Sequence, residues 1–84
     1  SRDNYLGIKV YPNPSQGEFI YLEVDGLMSN SQLTVYDIYG KTLLNQELNS
    51  NRETIRFENK LSPGFYMVTV ISDNNKTTKK LIVR

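Results

Sequence analysis

Glu53-Thr54-Ile55-Arg56-Phe57-Glu58 alternates between polar and apolar without a break around Ile55 and Phe57. Successive side chains of an extended strand point to opposite faces, so Ile55 and Phe57 face a core while Thr54, Arg56 and Glu58 face water. Asn49-Ser50-Asn51 precedes this run as a loop, and the segment from Asn59 to Gly64 follows it as a corner.

Reading on from that corner, Phe65–Ser72 sets Tyr66, Val68 and Val70 against Phe65, Met67 and Ile71. Apolar residues on both faces predict a central strand covered on both sides. Asp73-Asn74-Asn75 reads as a hairpin turn, because Asn and Asp tolerate the left-handed conformation. Lys76–Arg84 then forms a last strand, with Leu81 and Val83 on one face and Lys80 and Ile82 on the other.

Reading back from the decisive stretch, Thr42–Leu48 returns as a hairpin partner with Leu44 and Leu48 inward. Gly40-Lys41 is the tight turn before it, since Gly reaches positive φ without a Cβ penalty. In Gln32–Tyr39, Leu33 and Val35 share a face while Tyr36 and Ile38 take the other. That pattern predicts a central strand, or a bulge near Tyr36 that switches the register. Asp25-Gly26 and Ser29-Asn30-Ser31 read as turn and loop. Glu18–Val24 turns Ile20, Leu22 and Val24 to one face, and Gly7–Tyr11 does the same with Ile8 and Val10. The first run stops at Pro12-Asn13-Pro14-Ser15, where two prolines remove backbone donors. About seven short strands joined mostly by turns predict an all-β, immunoglobulin-like antiparallel β-sandwich in a single domain. Periodicity does not yield the strand order.

Composition narrows the function. A chain of 84 residues buries roughly 60–65% of its unfolded surface, which allows one thin core. The longest apolar run, Phe65–Ile71, has strand length, so no membrane insertion is expected. Ser1-Arg2-Asp3-Asn4 is polar and no apolar segment of signal-peptide length follows, so the chain reads either as cytoplasmic or as a fragment whose targeting signal lies upstream, and a first residue other than Met favours the fragment. The net charge of +1 argues against nucleic acid as a partner. The charge is uneven, however. Lys76, Lys79, Lys80 and Arg84 carry the end of the chain with no acid among them. Lysines of this kind also defend an exposed sheet edge.

No Cys, His or Trp is present. Ser–His and Cys–His dyads are therefore excluded, together with the commonest metal ligand. The nine acids sit mostly at solvated or turn positions such as Glu23, Glu53, Glu58 and Asp73, and no phosphate loop or calcium-loop spacing occurs. The chain is read as having no catalytic function, no cofactor and no metal site. Asn75-Lys76-Thr77 fits a glycosylation sequon, but a three-residue match in a turn carries no weight.

The spacing of the punctuation is more specific than the strand count. Val10-Tyr11-Pro12-Asn13-Pro14-Ser15-Gln16-Gly17 opens the domain. Leu33-Thr34-Val35-Tyr36-Asp37-Ile38-Tyr39-Gly40-Lys41 follows, then Leu61-Ser62-Pro63-Gly64-Phe65-Tyr66-Met67-Val68, and Lys79-Lys80-Leu81-Ile82-Val83-Arg84 closes the chain. In these four elements and their order the chain resembles the C-terminal sorting domain, type A, of the type IX (Por) secretion system of Bacteroidetes. The resemblance covers about residues 8–84 and leaves residues 1–7 as the tail of a linker from an upstream cargo domain. The terminal Arg84 departs from the Lys or amide residue common in that family, but the charge is kept.

The resemblance implies a signal that directs a larger cargo across the outer membrane, by way of the periplasm, to the cell surface or the medium. Its partners would be the secretion machinery at the outer membrane and a sortase-like protease, which removes the domain before the cargo is anchored or released. Lys79, Lys80, Leu81, Ile82, Val83 and Arg84 are carried over as the recognition signal. A basic strand edge at a chain terminus offers unpaired backbone groups for strand addition and positive charge for steering. Free edges would also allow a homodimer.

Pro12, Asn13, Pro14, Gly17, Gly40, Lys41, Leu61, Gly64 and Tyr66 are carried over as motif positions with structural roles. Pro12-Asn13-Pro14 either ends the first strand as a rigid loop or is itself read by the machinery. Gly40 closes a hairpin with Lys41 in water. Leu61, Gly64 and Tyr66 form a corner in which the tyrosine hydroxyl bonds an upstream backbone group.

The rival reading is an accessory module that binds carbohydrate or protein, with Tyr5, Tyr11, Tyr21, Tyr36 and Tyr39 as a sugar platform. A coplanar exposed pair would favour it. A third reading is a spacer that stabilises its neighbour.

Overall fold

A computed structural model describes residues 7–26, 31–73 and 75–84. Seven strands occur in these segments and no helix: β1 (Ile8–Tyr11), β2 (Phe19–Val24), β3 (Ser31–Asp37), β4 (Thr42–Leu48), β5 (Arg52–Arg56), β6 (Gly64–Ser72) and β7 (Asn75–Val83). They form a three-stranded sheet in the order β1-β2-β5 and a four-stranded sheet in the order β4-β3-β6-β7, with every strand pair antiparallel. This is the expected sandwich, and its strand order is the part that periodicity could not supply.

The core is the sum of the inward faces. Ile8, Ile20, Leu22, Val24 and Ile55 come from the first sheet; Leu33, Val35, Leu48, Val68, Val70, Leu81 and Val83 come from the second. The alternation around Ile55 holds: Ile55 and Phe57 are buried while Thr54, Arg56 and Glu58 are exposed. β3 is central, and the bulge expected near Tyr36 falls on its partner strand β4. Val35 pairs with Leu44 and Tyr36 with Thr42, which leaves Leu43 as the extra residue of a bulge.

Two expectations are corrected. β6 is central, but it is not covered on both faces: Phe65 is 50% exposed and Ile71 41% exposed. A sandwich has two layers, and a chain of this size supplies no third to cover the outer face. Ser31, read as loop, opens β3 and is fully buried, where its hydroxyl donates to that of Ser72 at 2.7 Å. A buried hydroxyl is tolerated when its hydrogen bond is made. The expected Asp73-Asn74-Asn75 turn includes Asn74, which lies outside the described residues. Asp73 does adopt a positive φ of 55°, and Asn75 already begins β7.

The β3–β4 turn depends on a residue to which the sequence reading gave no role. The Asp37 carboxylate accepts hydrogen bonds from the backbone N–H groups of Tyr39 and Lys41, both at 2.9 Å, while Gly40 takes φ 87°. Asp37→Ala removes the Oδ1 that accepts both bonds and is expected to destabilise the domain by about 2 kcal/mol, measured by urea unfolding. Asp37→Asn should cost less, because its amide oxygen still accepts.

Candidate functional site: the clasp on the last strand

The Pro12-Asn13-Pro14-Ser15 segment leaves the end of β1 and crosses to the outer edge of β7. Both X–Pro bonds in it are cis. Its prolines donate nothing, so the contacts fall to Asn13 and Ser15. The Asn13 side-chain amide donates to the Lys80 carbonyl at 2.8 Å, and its oxygen accepts from the Ile82 N–H at 2.9 Å. One primary amide thus stands in for a peptide unit of a neighbouring strand. Ser15 continues the pairing with its backbone, in a parallel bridge opposite Val83. Its N–H donates to the Ile82 carbonyl at 2.7 Å and its carbonyl accepts from Arg84 at 3.0 Å.

This corrects the picture of the last strand as an open edge. Over Lys80–Arg84, four outward backbone groups are already paired. It also changes the reading of Pro12-Asn13-Pro14, which closes the edge of a strand far away in sequence as well as ending the first one.

The clasp is anchored on its other side. Ser15 is 2% exposed; its hydroxyl accepts from the Gly17 N–H at 3.0 Å and donates to the Phe19 carbonyl at 3.1 Å. Gly17 takes φ 93°, and its carbonyl accepts from the Leu61 N–H at 2.9 Å. A Cβ at Gly17 would lie 2.6 Å from the Leu61 carbonyl oxygen, so only glycine fits. Leu61 plugs the core, and at the start of β6 Tyr66 buries its ring while its hydroxyl donates to the Ser62 carbonyl at 2.5 Å. That is the expected tyrosine corner, with Gly64 at φ 154° in the turn. Tyr66→Phe leaves the Ser62 carbonyl without this donor and is expected to cost about 1 kcal/mol, read as a Tm lower by about 4–8 °C.

Three of the four motif elements therefore meet along one seam: Asn13 and Ser15 on β7, Gly17 on Leu61, and Leu61 beside the Tyr66 corner. The fourth does not join them. Gly40 and Lys41 are exposed in the β3–β4 turn. Within the closing element the two faces diverge. Leu81 and Val83 are 0% and 3% exposed in the core, whereas Lys79, Lys80 and Arg84 are exposed and Ile82 is intermediate. The Lys80 ammonium sits 4.6 Å from the centre of the Phe65 ring. Ser15 is the clasp residue to which sequence reasoning gave no role, because its backbone partners Ile82 and Arg84 lie at the far end of the chain.

The aromatic residues do not form a flat platform. Tyr11 stacks near Tyr21 at 5.3 Å with planes tilted by 44°, and Phe19 meets Tyr21 edge-on at 67°. The Tyr36 hydroxyl accepts from Thr69 on the neighbouring strand β6 of the same sheet, and Tyr5 lies outside the described residues. The Tyr11 hydroxyl donates to the Glu23 carboxylate, which holds Glu23 below the usual carboxylate range and raises Tyr11 above the usual phenol. Among the described residues no three metal-capable groups converge.

Residues 9–84 match the family described as the secretion system C-terminal sorting domain. The chain belongs to that family. The sorting domain acts as a C-terminal signal for type IX secretion, which takes the protein bearing it across the outer membrane to the surface or the medium. A cargo upstream and an interaction with the type IX machinery follow from that role. The sorting domain is also 32% identical over 79 residues to a protein of Formosa agariphila named endo-acting ulvan lyase. The match takes in 92% of this chain and 15% of that protein, so the sorting domain spans a small part of the relative's length.

Proposed function

We propose that the basic end of β7, Lys79–Arg84, carries the part of the sorting signal that the machinery reads. The supporting observation is the division of labour in this segment. Leu81 and Val83 hold the strand in the core, Asn13 and Ser15 hold its edge, and Lys79, Lys80 and Arg84 project into water. The signal is thereby a fixed array of cations on a strand rather than a flexible tail. Fixed charge speeds encounter with an acidic surface and adds little ordering cost on binding. The type A branch of the family is the assignment that fits its four motif elements. Residues 1–7 serve as the linker tail, in or before which a sortase-like protease cuts to release the cargo or hand it to the cell surface. In this reading the protein takes no cofactor and performs no catalysis of its own.

The test is a fluorescent reporter with an N-terminal signal peptide and this chain at its C-terminus, expressed in a host with a type IX system. The unsubstituted fusion should reach the surface or medium. Lys79→Glu/Lys80→Glu/Arg84→Glu should remain periplasmic while keeping its circular dichroism melt, because none of the three side chains is buried. Normal export of that variant would remove the recognition role from these residues. Periplasmic retention of the unsubstituted fusion would count against export by this chain in that host.

A further inference from the structure

The clasp stops short of the whole edge of β7. Residues of a strand present their N–H and C=O to the same side, and alternate residues present them to opposite sides. Ile82 faces the clasp with both its N–H and its C=O. Lys80, Thr78 and Lys76 share that side, while Leu81, Lys79 and Thr77 turn theirs to β6. The Lys80 carbonyl is taken by Asn13. The Lys80 N–H and both groups of Thr78 and Lys76 lie beyond the clasp, on a strand that ends the order of its sheet.

We propose that this half of β7, Lys76–Lys80, is a strand-addition edge for an acidic extended segment of another polypeptide. The inference deepens the sorting role proposed above, since it states where and by what chemistry a partner engages the basic strand.

Three observations point to that occupant. The first is charge. Lys76, Lys79 and Lys80 are exposed, and among the described residues none of them lies within ion-pair distance of a carboxylate. No acid occurs from Lys76 to the chain end. The second is the cost of the alternative. A second copy pairing antiparallel about Thr78 would set Lys76 opposite Lys80 twice, and like charges directly opposed are unfavourable in a ladder. The same lysines pair favourably with carboxylates on an added strand.

The third is the contrast with the other edges. β1 has four residues and β5 five; β5 carries Arg52, Glu53 and Arg56 of mixed sign. β4 is interrupted by its bulge at Leu43 and carries Glu47. Among the described residues, β7 is the edge that is long, regular and of one sign. Asn13 and Ser15 then act as the stop that fixes where an added strand can end.

The probe is a synthetic peptide alternating Glu with Val, compared with its Lys counterpart, added to this chain while backbone hydrogen exchange is followed by NMR. The Glu peptide should slow exchange of the Lys76, Thr78 and Lys80 amides by about tenfold or more, and the effect should fade with added salt. The Lys peptide should leave them unchanged. Lys76→Glu/Lys79→Glu should invert the preference between the two peptides. Thr78→Pro should abolish protection, since it removes an edge donor and no backbone bond to β6. It also deletes the Thr78 hydroxyl that bonds the Thr69 hydroxyl on β6 at 2.9 Å, so Thr78→Ala, which keeps the edge donor, should keep the protection. If the proline variant fails to fold, the charge reversal still decides. Equal protection by both peptides, protection along β4 instead, or self-association that competes with the peptide would each overturn the proposal.

Export separates this inference from the sorting role. Thr78→Pro fusions that are secreted as well as the unsubstituted fusion would overturn the edge as the machinery's contact and leave the sorting role standing. Retention of the unsubstituted fusion would strike that role itself, and the peptide experiment would still judge the edge.

Discussion

Deleting Leu81–Arg84 is expected to unfold the domain, and not only to silence a signal. Leu81 is 0% exposed and Val83 3% exposed, and they pair with Tyr66 and Gly64 on β6. Their removal takes two apolar side chains from the core, at about 2–5 kcal/mol for the leucine and somewhat less for the valine. It also removes the Ile82 and Arg84 groups to which Asn13 and Ser15 are bonded, so the clasp keeps only the Asn13 bond to the Lys80 carbonyl. A domain of this size holds roughly 4–12 kcal/mol in total. The deleted chain should show no cooperative melt by circular dichroism and broad, poorly dispersed NMR resonances. A native-like melt in the deleted chain would show that the end of β7 is dispensable for folding. Loss of export on truncation is thus ambiguous for this domain. The charge-reversal variant, which spares the core, separates recognition from folding.

Gly17→Ala is the point substitution with the largest expected effect. Two penalties fall on one methyl group. The backbone at φ 93° is unfavourable for a residue with a Cβ, at about 1–2 kcal/mol. The methyl would also stand 2.6 Å from the Leu61 carbonyl and 3.1 Å from Val83, in a place where backbone must move to make room. Overpacking of this kind adds about 1–3 kcal/mol. Together these give about 3 kcal/mol, or a Tm lower by roughly 12–24 °C in a domain of this size. The displacement passes through Leu61 and Val83, so exchange of the Leu61 and Arg84 amides should rise more than that of Lys41 in the distant turn. Gly26→Ala is the control: its φ is also positive at 74°, but nothing lies within 4 Å of the added atom, so it should cost about 1 kcal/mol and no more.

How much of this was legible in the chain follows from what each contact depends on. Strand positions and faces depend on local alternation, and they were legible: Ile20, Leu22, Val24, Ile55, Leu81 and Val83 all face the core as their period-2 pattern requires. Turns that use one residue's backbone freedom were legible too, as at Gly40 and Tyr66, where the partners lie within four residues. The polar core pair of Ser31 and Ser72 was not, because a serine between Asn30 and Gln32 has no local reason to be inside. Nor was the exposure of Phe65 and Ile71, since apolar residues on both faces of a strand do not say whether a second layer exists to cover them.

The motif residues divide in the same way. The amino-acid sequence by itself determined that this is an all-β sandwich without nucleophile–histidine chemistry, with a basic end, bearing four motif elements in the order of a sorting domain. Those properties rest on residue type and spacing. Only the tertiary structure decided that Pro12-Asn13-Pro14-Ser15 holds the last strand, that Gly17 leans on Leu61, and that this clasp takes up the β7 edge from the Lys80 carbonyl to the Arg84 N–H. Asn13 and Ile82 are 69 positions apart in the chain. Their bond exists because two sheets with their own internal registers pack face to face and bring the loop after β1 beside β7. No periodicity within either segment encodes that meeting.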